Sequence, residues 1–254
     1  MNQWALITGA SSGIGRELAQ IFAAHSFNVI IAGRNLPRLR EVAGEVHGQN
    51  GVETRIVEQD LSAPGAGARV FEAVADIEVD VLVNNAGLGF YGDFVDRTLE
   101  EHLSVMRVNM MALVELTHLF LKPMIARRRG RILNVASTAA FQPGPCISVY
   151  YASKAFVHSF SYALAQEVES SGITVTALCP GTTRTDFFAR GQFSVKRAPF
   201  TMHARDVAEA GYRGVMRGKR VVIPGLHNRI AARFSKFLPL AITSIAVRKL
   251  HAKR

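Results

Sequence analysis

Two cysteines, Cys146 and Cys179, are all that this 254-residue chain carries. They are too few for a disulfide framework, and the chain is too long to need one. A reducing, cytoplasmic setting is therefore expected. Long apolar runs are also missing. The longest such stretch, Phe237 to Val247, contains Pro239, Thr243 and Ser244 and is too short to cross a bilayer, so no membrane-spanning segment is expected. Nor does the start read as a leader, because Gln3-Trp4-Ala5-Leu6-Ile7 already has the character of a buried strand. No Cys, His and carboxylate grouping has metal-ligand spacing, and no metal is expected. Acidic residues are absent from one end: none follows Glu209.

That last absence explains the net charge of +10. Residues 210–254 hold eleven of the thirty Lys and Arg, leaving nineteen basic against twenty acidic groups elsewhere. A near-neutral body argues against nucleic-acid binding and leaves a cationic end to explain.

What is present is a rhythm. Ala5–Thr8, Val29–Ala32, Arg55–Val57, Val81–Val83, Ile132–Val135, Val175–Leu178 and Val221–Ile223 read as strands. Their apolarity is continuous rather than alternating, which suits a parallel sheet covered on both faces. Helical periodicity falls between them, at Ile14–Ala24, Leu36–Val46, Gly67–Val74, Leu99–Ala126 and Ala155–Glu169. This alternation predicts an α/β, doubly wound (Rossmann) domain over 1–226, followed by a basic amphipathic tail over 227–254. Pro180 to His203 is a connection longer than a turn requires, and Thr182 to Phe200 reads as a lid over a site.

At the first strand–helix junction stands Thr8-Gly9-Ala10-Ser11-Ser12-Gly13-Ile14-Gly15. Gly9 permits a tight turn, Gly13 lets a phosphate approach the backbone, and Gly15 lets helix pack on strand. The helix N-terminus, with Ser11, Ser12 and Ile14, then offers donors to a pyrophosphate. The second strand ends at Ala32-Gly33-Arg34-Asn35, where a carboxylate would be needed to bind the free ribose of NAD. Arg34, with Asn35 beside it, suits a 2′-phosphate instead, so NADP(H) is expected. Arg34 could equally begin the solvated face of the next helix, beside Arg38 and Arg40. Asp60-Leu61 closes the third strand and could accept from an adenine amino group or cap the helix beginning near Ser62. Asn84-Asn85-Ala86-Gly87 follows the fourth, with Gly87 letting backbone near the cofactor and the Asn side chains locking strand ends.

The chemical centre is read from Ser137, Tyr150 and Lys154. On a helix, Tyr150 and Lys154 share a face. A nearby cation favours phenolate, so Tyr150 could exchange a proton with an alcohol or carbonyl. Ser137, at the end of strand five, could hold the reacting oxygen. The Tyr-x-x-x-Lys spacing is weak evidence alone; a serine after strand five and a glycine loop after strand one make it strong.

With those residues in view, residues 3 to 225 resemble the short-chain dehydrogenase/reductase family of the common cytosolic type. The motifs are Thr8-Gly9-x-x-x-Gly13-x-Gly15, Asp60, Asn84-Asn85-Ala86-Gly87, Asn109, Ser137, Tyr150-x-Ala152-Ser153-Lys154 and Pro180-Gly181-x-x-x-Thr185. The resemblance implies that Asn109 completes a catalytic tetrad, bending its helix and holding a water beside Lys154. It places Pro180, Gly181, Thr183 and Thr185 against the nicotinamide and its phosphates, although position 183 more often carries an aliphatic residue. Lys154 is implied to serve the cofactor ribose as well as Tyr150. Residues 84–94 and Phe141 to Cys146 resemble a bacterial branch of broad substrate specificity. The long helices 99–126 and 155–169 imply a homodimer or tetramer.

The expected reaction is a ketone/aldehyde–alcohol interconversion. Phe90, Tyr91, Phe141, Pro143, Cys146, Ile147, Phe187 and Phe188 lie on loops that should surround the reacting oxygen and favour a lipophilic substrate. The alternatives are a non-catalytic redox sensor on the same fold, which would need none of the catalytic set, and an epimerase or dehydratase, which would want a larger substrate domain. In the tail, Ile230, Phe234, Phe237 and Leu238 recur at helical spacing, with Arg229, Arg233 and Lys236 toward another face. The tail reads as a helix on its own domain or a sister subunit, as a peripheral contact with an anionic membrane face, or as a flexible basic end.

Overall fold

The protein is described from a computed structural model covering residues 3–187, 191, 200–235 and 237–252. Strands and helices alternate: β1 (Trp4–Thr8), α1 (Gly13–Ala24), β2 (Asn28–Gly33), α2 (Leu36–Asn50), β3 (Thr54–Glu58), α3 (Ala66–Glu72), β4 (Val79–Asn84), α4 (Leu99–Met106), α5 (Ala112–Ala126), β5 (Gly130–Val135), α6 (Ser148–Glu167) and β6 (Ile173–Leu178). Then come β7 (Thr183–Arg184), β8 (Met202–His203), α7 (Ala204–Met216), β9 (Val221–Val222), α8 (Leu226–Ser235) and α9 (Leu240–Ala252). Seven strands form one parallel sheet in the order β3-β2-β1-β4-β5-β6-β9, while β7 pairs with β8.

Side-chain alternation explains the unbroken apolar strands. On β1, Ala5 and Ile7 belong to one core and Leu6 to the other; on β2, Val29 and Ile31 oppose Ile30. The first face is covered by Leu18 and Phe22 of α1, Leu39 of α2 and Val207 of α7. The second takes Val70 of α3, Leu116 and Phe120 of α5 and Leu164 of α6. Leu6, Ile7, Ile30 and Ile31 have no exposed surface, and each contributes about 1.5–3 kcal/mol by burial.

One element departs from the sequence reading. Helix α6 begins at Ser148 rather than Ala155. Its first two turns carry Tyr150, Tyr151 and Lys154 toward the cleft, so the apolar stripe that betrays a helix starts only afterwards. Leu99–Ala126 is one continuous 28-residue helix, long and apolar enough to cross a membrane. Its Leu113, Leu116, Phe120 and Met124 are instead buried within the domain. Between α4 and α5 it passes through a π-turn, Arg107–Met111, which contains Asn109. The basic end forms α8 and α9, seated through Ala232, Ser235, Thr243 and Val247.

Candidate active site

In the sheet order, the chain winds outward in opposite directions from the β1–β4 pair. That reversal opens a crevice at the carboxyl ends of the strands. A cleft of about 1530 Å³, counting its open mouth, occupies it.

One end of the cleft is built by the glycine turn. Gly9 has φ +65°, and its N–H donates to Ala32 O at 2.8 Å. A Cβ there would lie 2.9 Å from Ala86 Cα, so the β1 turn and the β4 end touch directly. Thr8 ties them together. Its hydroxyl donates to Val83 O (3.3 Å) and accepts from the amides of Asn85 and Ala86, each at 3.0 Å. Asn85 Nδ2 donates to Thr8 O at 2.8 Å, and Asn84 Nδ2 donates to Thr117 Oγ1 and Asn134 Oδ1. Both asparagine side chains therefore lock strand ends. Ser11, Ser12, Gly13 and Ile14 line the cleft, whereas Gly15 lies behind it against the Gly9 carbonyl and Asn85. At the start of α1, Ser12 makes no side-chain capping bond and the first turn holds no acidic residue. The N–H groups that open a helix suit an anion entering the cleft.

Arg34, Asp60 and Leu61 line the same end, with Gly33 and Gln59. Burial disfavours the Asp60 carboxylate, but the Ser62 amide (2.8 Å) and hydroxyl (2.7 Å), with the charge of Arg34, hold it below its ordinary range. Asn35 is placed otherwise. It is not among the cleft-lining residues, and its Oδ1 accepts from Arg38 N at 3.0 Å as the N-cap of α2.

At the other end, Tyr150, Lys154 and Ser137 come together. Lys154 is buried, with Nζ donating to Val135 O at 2.8 Å and lying 5.8 Å from the Tyr150 ring centroid. Burial lowers its pKa to about 8, opposed by Cys179. Burial also pushes the Tyr150 phenol up to about 12, against the opposing pull of a hydrogen bond with Ser137. In the protein alone, desolvation thus outweighs the phenolate-favouring cation expected from the spacing. Ser137 Oγ accepts from Ala139 N and donates to Pro180 O at 3.4 Å. Asn109 is buried beneath this group. Its side chain clamps both the amide and carbonyl of Leu88 and donates to Ser153 Oγ, which bonds the Tyr150 carbonyl. A Cβ on Gly87 would stand 3.4 Å from Lys154 Nζ and 3.6 Å from Asn109 Oδ1. Pro180, Gly181, Thr183 and Thr185 border the cleft, with Thr183 Oγ1 turned onto Gly181 O and Thr185 Oγ1 accepting from Phe187 N.

The apolar lining differs from expectation. Of the eight residues anticipated there, Ile147 and Phe187 line the cleft; Phe188, and most of the anticipated lid, lie outside the described residues. Tyr91 braces its loop, its carbonyl accepting from Arg97 and its amide bonding Gly191. Phe141 packs on His158, and the Cys146 thiol bonds Asp93. Phe90 and Pro143 are likewise not among the lining residues. Leu88, Val108, Ala139 and Tyr151 take those places. Gly89 was also invisible in the sequence reading: a Cβ there would press on the Tyr150 and Phe187 rings, each at 2.9 Å.

The chain belongs to the short chain dehydrogenase family, which it matches over residues 3–192; the family uses nicotinamide cofactors. Among its relatives, 17-beta-hydroxysteroid dehydrogenase type 3 of Mus musculus is 37% identical over 187 residues, covering 73% of this chain and 61% of the relative. A 7beta-hydroxysteroid dehydrogenase of Collinsella aerofaciens is 33% identical over 72% of this chain and 70% of its own. The solved short-chain dehydrogenase from Sphingobium yanoikuyae, in complex with NADPH, superposes with a TM-score of 0.86 at 33% identity, covering 92% of this chain and 91% of that one.

Proposed function

We propose that this protein is an NADP(H)-dependent oxidoreductase that interconverts a lipophilic ketone or aldehyde and its alcohol, with Tyr150 as general acid/base. One observation carries the reading. Tyr150, hydrogen-bonded with Ser137 and beside buried Lys154, faces a cleft whose far end is an uncapped helix N-terminus. The residues present fit a dinucleotide: the amide donors at the start of α1 suit a pyrophosphate, and Arg34, with no carboxylate at the end of β2, suits a 2′-phosphate. The NADPH in the Sphingobium relative supports the same choice. When bound, the cofactor supplies or takes up the hydride.

The chain's own residues handle the proton. With the phenol at about 12, Tyr150 is protonated at neutral pH and stands ready to donate to a carbonyl oxygen, the direction of reduction. Lys154, near 8, still carries its charge there and stabilises the phenolate left behind. Ser137 offers a second donor to the same oxygen. Asn109 is a positioning residue that holds the Leu88 loop against α6. Leu88, Val108, Ile147 and Phe187 make the wall around Tyr150 apolar, and the hydroxysteroid dehydrogenases among the relatives support a lipophilic substrate.

Tyr150→Phe tests the proposal. Turnover with NADPH and a panel of bulky ketones is expected to fall on the order of a thousandfold, while NADPH binding, followed by its fluorescence, persists. Unchanged turnover would remove Tyr150 from the mechanism.

A further inference from the structure

The C-terminal helix pair presents a surface that the chemistry of the cleft does not use. Helix α8 seats Ala232 and Ser235 inward and turns Leu226, Ile230 and Phe234 outward, spaced four apart on one face. Phe237 follows at 85% exposure, and α9 seats Thr243 and Val247 while exposing Ile242 and Ile245. Exposed Arg229, Arg233, Arg248 and Lys249 lie around these side chains. No acidic residue occurs anywhere after Glu209.

Water is a poor neighbour for two exposed phenyl rings and a row of Leu and Ile. A second copy of this chain fits badly, because a two-fold contact would set one basic, acid-free strip against another. The cores of protein interfaces also exclude charge, whereas here Lys and Arg are interleaved with the apolar residues. Nucleic acid would engage the cations and leave the phenyl and aliphatic side chains in water. An anionic bilayer surface satisfies both, taking the apolar side chains among its acyl chains and the cations at its headgroups.

We propose that α8 and α9 form a docking face for anionic lipid membranes. The placement gives the contact a use. Asn228 of α8 packs directly on Gly181 in the cleft wall, and Arg248 of α9 stands close enough to Cys146 for its charge to act on that thiol. Cys146 belongs to the loop whose Gln142 and Ile147 line the cleft. The docking face therefore adjoins the substrate end of the cleft, and a molecule dissolved in the bilayer would have a short path to Tyr150. The docking itself does not depend on the proposed reaction.

Co-sedimentation of the full-length protein with phosphatidylcholine vesicles, with and without phosphatidylglycerol, tests it. Partitioning is expected to be on the order of tenfold greater on the anionic vesicles and to weaken with salt. Phe234→Glu/Phe237→Glu should lose that binding, with unchanged elution volume and unchanged turnover of a water-soluble ketone. Arg233→Gln/Lys249→Gln keeps every apolar side chain and should erase the preference for anionic vesicles. Three results would overturn the inference: wild type staying in the supernatant, both variants pelleting like wild type, or the Phe variant falling to a smaller species in solution, which would show the face to be covered by a second copy.

Discussion

Replacing Lys154 with methionine isolates the cost of keeping a charge at the floor of the cleft. Burial moves the Lys154 amine from 10.5 to about 8, so holding it protonated in the folded interior costs about 3 kcal/mol at neutral pH. The folded pKa lies below the unfolded one. Between the two, the unfolded chain binds more protons, and stability must rise with pH. Roughly 2 kcal/mol of the cost returns between about pH 8 and 10. Methionine has nearly the same volume and no charge, so Lys154→Met lacks this rise. It also leaves the Val135 carbonyl without its donor, a penalty of about 1–3 kcal/mol that does not change with pH. The informative quantity is therefore the difference between the two proteins as a function of pH. Unfolded tyrosine, with a pKa of about 10, stays mostly protonated until the top of that window, and Tyr150, pushed up to about 12, stays protonated through it. Thermal unfolding of the cofactor-free proteins is the assay, with about 2–4 °C per kcal/mol for a chain of this size. Wild type should gain about 4–8 °C relative to the variant across that window. A difference that stays constant, or moves the other way, would refute the claim that Lys154 is held charged against a desolvation cost.

Other outcomes follow from the same geometry. Arg34→Asp should lower NADPH affinity by about ten- to hundredfold, the value of a charged hydrogen bond, and raise NADH affinity; titration of both nucleotides checks this. Gly89→Ala puts a methyl 2.9 Å from the Tyr150 and Phe187 rings. It should cut kcat with little change in NADPH binding, because the ring that must shift is the proposed proton donor. Reduction rates should fall as pH rises through about 8, where Lys154 loses its charge and Tyr150 becomes a weaker acid; a profile flat across that region would count against the pairing.

Much of this site was legible because its parts are local. The Gly9 turn, the helix N-terminus that follows it and the four-residue spacing of Tyr150 and Lys154 are properties of short segments. Asn35 was read only as a neighbour of the cofactor, although Asn35-Leu36-Pro37 also fits an N-cap followed by an early helical proline, the place it takes in the fold. Tyr91 and Phe141 sit on loops beside the cleft, and only the paths of those loops decide that Arg97 meets the Tyr91 carbonyl and His158 the Phe141 ring.

The parallel sheet, its two buried faces and the shared helix face of Tyr150 and Lys154 were set by the sequence, since continuous apolar strands and a helical i, i+4 pair need no distant partner to be recognised. The tertiary structure decided what brings distant segments together. Thr8 gathers residues from β1 and β4 through one hydroxyl, Lys154 rests on a β5 carbonyl, and Asn109 joins the π-turn to α6. It also decided the protonation of the centre. Desolvation is summed over every element that closes on Tyr150 and Lys154, and no local segment contains that sum.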